Sequence, residues 1–166
     1  MALQLSQQRR RKMQRLKTTL AKHPFFKGLD QRYLNLIIGC ASNARFDSGE
    51  FILREGEEAN QFYIIRQGRV ALEAVLAPGR EPIIIQIIRE GDVLGWSWLF
   101  PPHRWHFDAR AVAPTEAIVL DGKYIRTQCE KNHDLGYELL KRFAQIIEQR
   151  LQAMRSQNPD MYAVHA

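Results

Sequence analysis

The sequence predicts a mainly β fold: an antiparallel double-stranded β-roll (jelly roll) with N-terminal helices and a long C-terminal helix. Three observations carry this. Between Phe46 and Leu120 there is no helical period, only short runs rich in β-branched and aromatic residues. Those runs are separated by the turn signals Asp47-Ser48-Gly49, Glu55-Gly56, Gln67-Gly68, Pro78-Gly79 and Glu90-Gly91-Asp92. After Asp121 the apolar residues return to 3–4 spacing.

The elements follow in order. Ser6 to Lys22 lacks Gly and Pro and predicts a largely solvated helix with Ser6 as its N-cap, stopped by Pro24. Asp30 is placed to cap a second, short helix carrying Tyr33, Leu34, Leu36, Ile37 and Ile38, which Gly39 ends. The predicted strands run Phe51–Leu53, Phe62–Ile65, Val70–Leu76, Ile83–Ile88 and Ala117–Leu120, with a hairpin loop at Pro78-Gly79-Arg80. A short helix over Gly122–Glu130 and a long one from Asn132 or Asp134 to about Arg155 close the chain. The division expected is a basic helical arm over 1–22, one domain over 23–156 with the roll at about 46–120 and helices at about 122–155, and a flexible tail over 157–166.

Composition narrows the function classes. The chain has 166 residues, 45% of them hydrophobic and 25% charged, and fits one globular domain. No apolar run approaches the roughly 20 residues of a membrane span, and the basic N-terminus lacks a secretory apolar core. Cys40 and Cys129 lack CxxC spacing and read as small buried thiols. The expected compartment is the cytoplasm. The net charge of +6 is uneven: residues 1–30 hold eight basic side chains against Asp30 alone, whereas 31–166 hold 16 basic and 17 acidic ones. The excess sits on the N-terminal arm, and no domain-wide basic face is expected.

Four stretches carry a resemblance. His23-Pro24-Phe25-Phe26-Lys27-Gly28-Leu29, Phe51-Ile52-Leu53-Arg54-Glu55-Gly56, Phe62 to Val70 with its Gln67-Gly68 turn, and Gly91-Asp92-Val93-Leu94-Gly95 occur in this order. Together they resemble the entry motif, strand-and-turn pattern and cassette approach of cyclic nucleotide-binding domains, in the catabolite activator and FNR-like sensor branch. The resemblance covers about residues 23–150. It implies a regulatory domain, not an enzyme, that takes a small molecule inside the roll.

In that family a Phe-Gly-Glu-x-Ala-Leu stretch and a later Arg-x-Ala hold the ligand. The resemblance implies that backbone N–H groups and the Arg bind the cyclic phosphate, and that the Glu takes the ribose hydroxyl. Here the stretch reads Leu94-Gly95-Trp96-Ser97-Trp98-Leu99-Phe100, followed by His103-Arg104-Trp105-His106-Phe107-Asp108-Ala109-Arg110. Trp96 stands at the Glu position and Phe107 at the Arg position, so cyclic AMP in the usual mode is not expected. The candidate ligand-binding set is Leu94, Gly95, Trp96, Ser97, Trp98, Arg104, Phe107, Asp108 and Arg110, with Arg104 or Arg110 supplying charge for an anionic part. The alternative is that the rings fill the vacated pocket themselves, leaving a ligandless interaction scaffold.

Other readings are narrower. His103-x-x-His106 offers two metal ligands for a cupin-like metal-dependent enzyme, but the set such a site needs is incomplete, and neither a metal nor a cofactor is expected. The apolar stripe of the long helix exceeds what one roll needs, and Leu140, Phe143, Ile147 and Met154 predict a homodimer contact. After that helix there is no room before Ala166 for a DNA-binding domain. The expectation is therefore a stand-alone sensor acting on a protein partner, with no membrane association.

Overall fold

The computed structural model describes residues 2–157; of the tail expected over 157–166, Gln157 ends the last helix and the rest lies outside the described residues. The chain runs α1 (Ala2–Lys22), a 3-10 turn at Pro24–Phe26, α2 (Gln31–Gly39), β1 (Ala41–Phe46), β2 (Phe51–Leu53), β3 (Gln61–Gln67), β4 (Arg69–Ala74), β5 (Ile83–Arg89), β6 (Val93–Leu94), β7 (Asp108–Ala111), β8 (Thr115–Asp121), α3 (Gly122–Lys131) and α4 (His133–Gln157). Every strand pairing is antiparallel. One sheet has the order β1-β8-β3-β6 and the other β2-β7-β4-β5. The predicted roll is present, and it begins at Ala41 rather than near Phe46.

The helix ends follow local chemistry. Asp30 caps α2, its Oδ1 accepting from the Arg32 N–H at 2.8 Å. Asp121 caps α3 through the Tyr124 N–H at 2.9 Å, and Asn132 Oδ1 accepts from the Leu135 N–H at the start of α4. Ser6 is not a cap. α1 already begins at Ala2, and the Ser6 hydroxyl donates to the Leu3 carbonyl within the helix. The picture of a solvated arm also needs correction. Its first turns are exposed, but Leu16 and Leu20 are buried against the body, Leu20 completely. Burying a leucine contributes roughly 1.5–3 kcal/mol, so the last turns of α1 belong to the folded unit.

Between the roll and the helices lies an aromatic core. Phe62 of β3 stacks on Trp98 with centroids 5.1 Å apart and planes 13° apart, while Phe143 of α4 meets Phe62 at 5.4 Å and Trp98 at 5.5 Å. Phe25 completes the group, 4.9 Å from Phe143. His23 ties the entry segment to the roll: Nδ1 accepts from the Phe25 N–H, and Nε2 lies 2.7 Å from the Gly91 carbonyl. The β3–β4 turn requires Gly68. Its φ is +101°, and a Cβ there would lie 2.5 Å from the Pro114 carbonyl oxygen.

Candidate functional site

The open end of the roll is built by the cassette between β6 and β7. Leu94 pairs with Tyr63 and is buried, and the chain then turns sharply at Gly95, whose φ is +91°. A Cβ at Gly95 would lie 2.9 Å from the ring of Trp105, so only glycine lets the backbone lie against that indole. From Trp96 to Phe100 the chain forms turns, with the Leu99 N–H donating to the Trp96 carbonyl at 3.0 Å.

What remains of a pocket inside this mouth is small, about 30 Å³, roughly the room for one water. Leu53 and Leu72 form its walls, Gly95, Trp96 and Ser97 one rim, and Trp105 to Phe107 the other. Trp96 and Phe107 both line it. The positions where the family resemblance implied a carboxylate and a guanidinium thus present two uncharged aromatic rings to the cavity.

The charge at the mouth comes from Arg150 of α4, which the sequence reading passed over. The side chain is 9% exposed, its Nη2 donates to the Val93 carbonyl, and its guanidinium lies 4.6 Å over the Trp96 ring. Burial lowers its pKa to about 10, with Asp92 opposing that shift. A signal for it existed. Leu139, Phe143, Ile146 and Arg150 follow one another at 3–4 spacing, so Arg150 falls on the stripe of α4 that faces the roll.

Several expected site residues lie elsewhere. Trp98 is fully buried in the aromatic core beneath the cassette, and its carbonyl accepts from Arg126 Nη1, so it packs the helices rather than lining the cavity. Arg104 points away and donates to the Gly56 carbonyl at 2.8 Å. Asp108 anchors a turn, its Oδ1 accepting from the Glu55 N–H at 2.7 Å with Arg54 at 3.7 Å. Arg110 is held by the buried carboxylate of Glu73 on the neighbouring strand at 2.5 Å, and neither residue lines the cavity. Leu94, Gly95, Trp96, Ser97 and Phe107 do converge there. Phe143, expected at a dimer contact, is fully enclosed by this chain's own core; Leu140 and Leu151 are outward residues of α4, 43% and 54% exposed, as is Tyr137.

His106 is exposed at the cavity rim, and His103 has its pKa lowered by burial and by Arg126. Among the described residues no three potential metal ligands converge. Among them also, no helix is long and apolar enough to cross a membrane.

The fold and the cassette are those of a domain of the cyclic nucleotide-binding type. The sequence model for the cyclic nucleotide-binding domain matches residues 44–132, and the chain belongs to that family. It is 32% identical over 69 residues to cGMP-dependent protein kinase 2 of Homo sapiens, a match covering 42% of this chain and 9% of the kinase. The chain thus spans under a tenth of the length of that relative. Among solved structures it resembles a protein of Geobacter metallireducens GS-15 ascribed to cyclic nucleotide binding, at 25% identity and TM-score 0.71, over 83% of this chain and 96% of that one. It also shares the fold of the sensor domain of the transcriptional regulator DNR from Pseudomonas aeruginosa, at 23% identity and TM-score 0.67, over 84% and 93% of the two chains.

Proposed function

We propose that this chain is a cytoplasmic, non-enzymatic sensor domain whose roll is gated by Arg150 of its C-terminal helix. The observation that carries the reading is the buried guanidinium lying on Trp96 and bonded to Val93. A ligand entering beside Gly95 must displace that side chain, and Arg150 stands on α4. Occupancy of the roll is thereby linked to the position of a helix that a partner protein can sense.

The ligand is a small planar anion other than a cyclic nucleotide held in the usual way. Trp96, Trp105 and Phe107 offer ring faces, and a displaced Arg150 offers a guanidinium. None of those rings carries a carboxylate to accept from a ribose hydroxyl or a cation to pair with a phosphate, and each missing charge-assisted bond weakens binding by about 1.5–3 kcal/mol. The domain acts as a homodimer through α4. Leu140, Ala144, Ile147, Leu151 and Met154 keep the 4-3-4-3 spacing of a coiled-coil seam on the face next to that of Phe143.

A second reading is favoured by the cavity of about 30 Å³: the roll is filled by its own side chains, and the domain is a ligandless interaction scaffold. A thermal-shift screen with planar anionic metabolites, run on the native chain and on Arg150→Ala, separates the two. The gated sensor predicts at least one stabilising compound, with affinity altered by the substitution. If no compound shifts either protein, the scaffold reading holds instead.

A further inference from the structure

α1 carries seven basic side chains and no acidic one. Arg11, Lys12 and Arg15 are exposed, and facing them from β3, in the other half of a groove of about 410 Å³, is the exposed Arg66. A second hollow of about 580 Å³ shares Arg11, Arg15 and Arg66 and extends the groove along the helix. No acidic residue lines either hollow, and none of these four cations is among the ion pairs of the described residues. Folding therefore brings four like charges to one cleft, an unfavourable arrangement that a bound polyanion relieves.

We propose that this cleft between α1 and β3 is a docking groove for the phosphodiester backbone of a nucleic acid. The polar neutral members of the lining, Gln8, Gln14, Thr18, Thr19 and Asn43, are amides and hydroxyls, side chains that donate to phosphate and sugar oxygens. Leu16 is the only apolar residue in the lining, so an acidic amphipathic helix would find almost no apolar floor there. A membrane surface fits no better. Leu16 and Leu20 are already buried against the body and cannot insert between lipids, and the exposed Leu3, Leu5 and Met13 of the same helix do not line the groove. With no aromatic side chain in the lining, the contact is electrostatic and indifferent to base sequence.

The test is anisotropy of a fluorescein-labelled DNA duplex of about 20 base pairs with the full chain over a range of salt concentrations. Four phosphate contacts predict a slope of log affinity against log salt of about −3 to −4. Arg66→Gln removes the wall that α1 does not supply, and should weaken binding several-fold and flatten the slope by about 1. Arg80→Gln, which removes an equal charge from the β4–β5 loop, should leave both unchanged. Equal effects of the two substitutions, no binding at low salt, or equally effective competition by poly-glutamate or phosphatidylserine vesicles would each overturn the proposal.

Discussion

The guanidinium of Arg150 lies 4.6 Å over the ring of Trp96 and donates to the carbonyl of Val93, so α4 and the cassette are latched together across the mouth of the roll. Opening the mouth means breaking a buried hydrogen bond and a cation–π contact at once. The latch is also electrically uneasy, since burial opposes the charge it needs and lowers the arginine's pKa to about 10.

Arg150→Ala should lower stability by about 1–2 kcal/mol, because it leaves the Val93 carbonyl without its donor. It should also shift tryptophan emission to the red, since water then reaches the half-buried Trp96. Denaturant midpoint and emission maximum check both. An unchanged emission maximum would mean that the latch does not shield Trp96.

Gly122, at the start of α3, is set by Trp98. A Cβ there would lie 2.8 Å from the indole, which is fully buried and has nowhere to move. Gly122→Ala should cost about 1–3 kcal/mol. Gly39→Ala, where no atom lies within 4 Å of the added carbon, serves as the control and should be neutral or mildly stabilising.

Burial pushes the thiols of Cys40 and Cys129 up to about 11, against a backbone hydrogen bond from Asp121 at Cys40 and with a further contribution from Glu130 at Cys129. Both should react with an aromatic disulfide reagent at neutral pH far more slowly in the native than in the denatured chain. The unfolded thiols ionise near 9, so this contribution to stability is complete below that pH and disappears as pH rises through about 11. Reaction at the denatured rate under native conditions would show that these sites open freely.

Light scattering should report a dimer, and Leu151→Asp should give a folded monomer, since Leu151 is outward-facing and packs little within its own chain. A monomeric native protein, or a dimer indifferent to the substitution, would remove α4 as the contact.

The roll was legible in the sequence wherever strand-forming residues were consecutive. Phe51–Leu53 and the run from Ile83 stand where their β-branched and aromatic content put them. β1 was not legible because Ser42 and Asn43 carry weak strand preference, and its pairing with β8 comes from tertiary register. β6 is two residues long and has no period to read. At the site, the sequence showed that the cassette had lost its carboxylate and guanidinium and gained three tryptophans. It did not show that Trp98 turns down into the helices while Trp96 and Trp105 face the mouth, because alternation has no meaning in a turn. Arg110 looked available until the fold placed the buried Glu73 beside it. Arg150 keeps the spacing of the buried stripe, but a charged residue on an amphipathic helix is ordinarily solvated, and its burial comes from the Val93 carbonyl and the Trp96 ring that the fold sets beside it.

All three tryptophans lie between Trp96 and Trp105, so intrinsic fluorescence reports directly on whatever enters the roll. Titration with cyclic AMP and cyclic GMP, corrected for their absorbance, tests the central claim that this roll is closed to cyclic nucleotides in the usual mode. Trp96 and Phe107 at the contact positions, with the mouth latched by Arg150, predict no saturable change below millimolar concentration. Saturable quenching by either nucleotide at micromolar concentration would contradict the account.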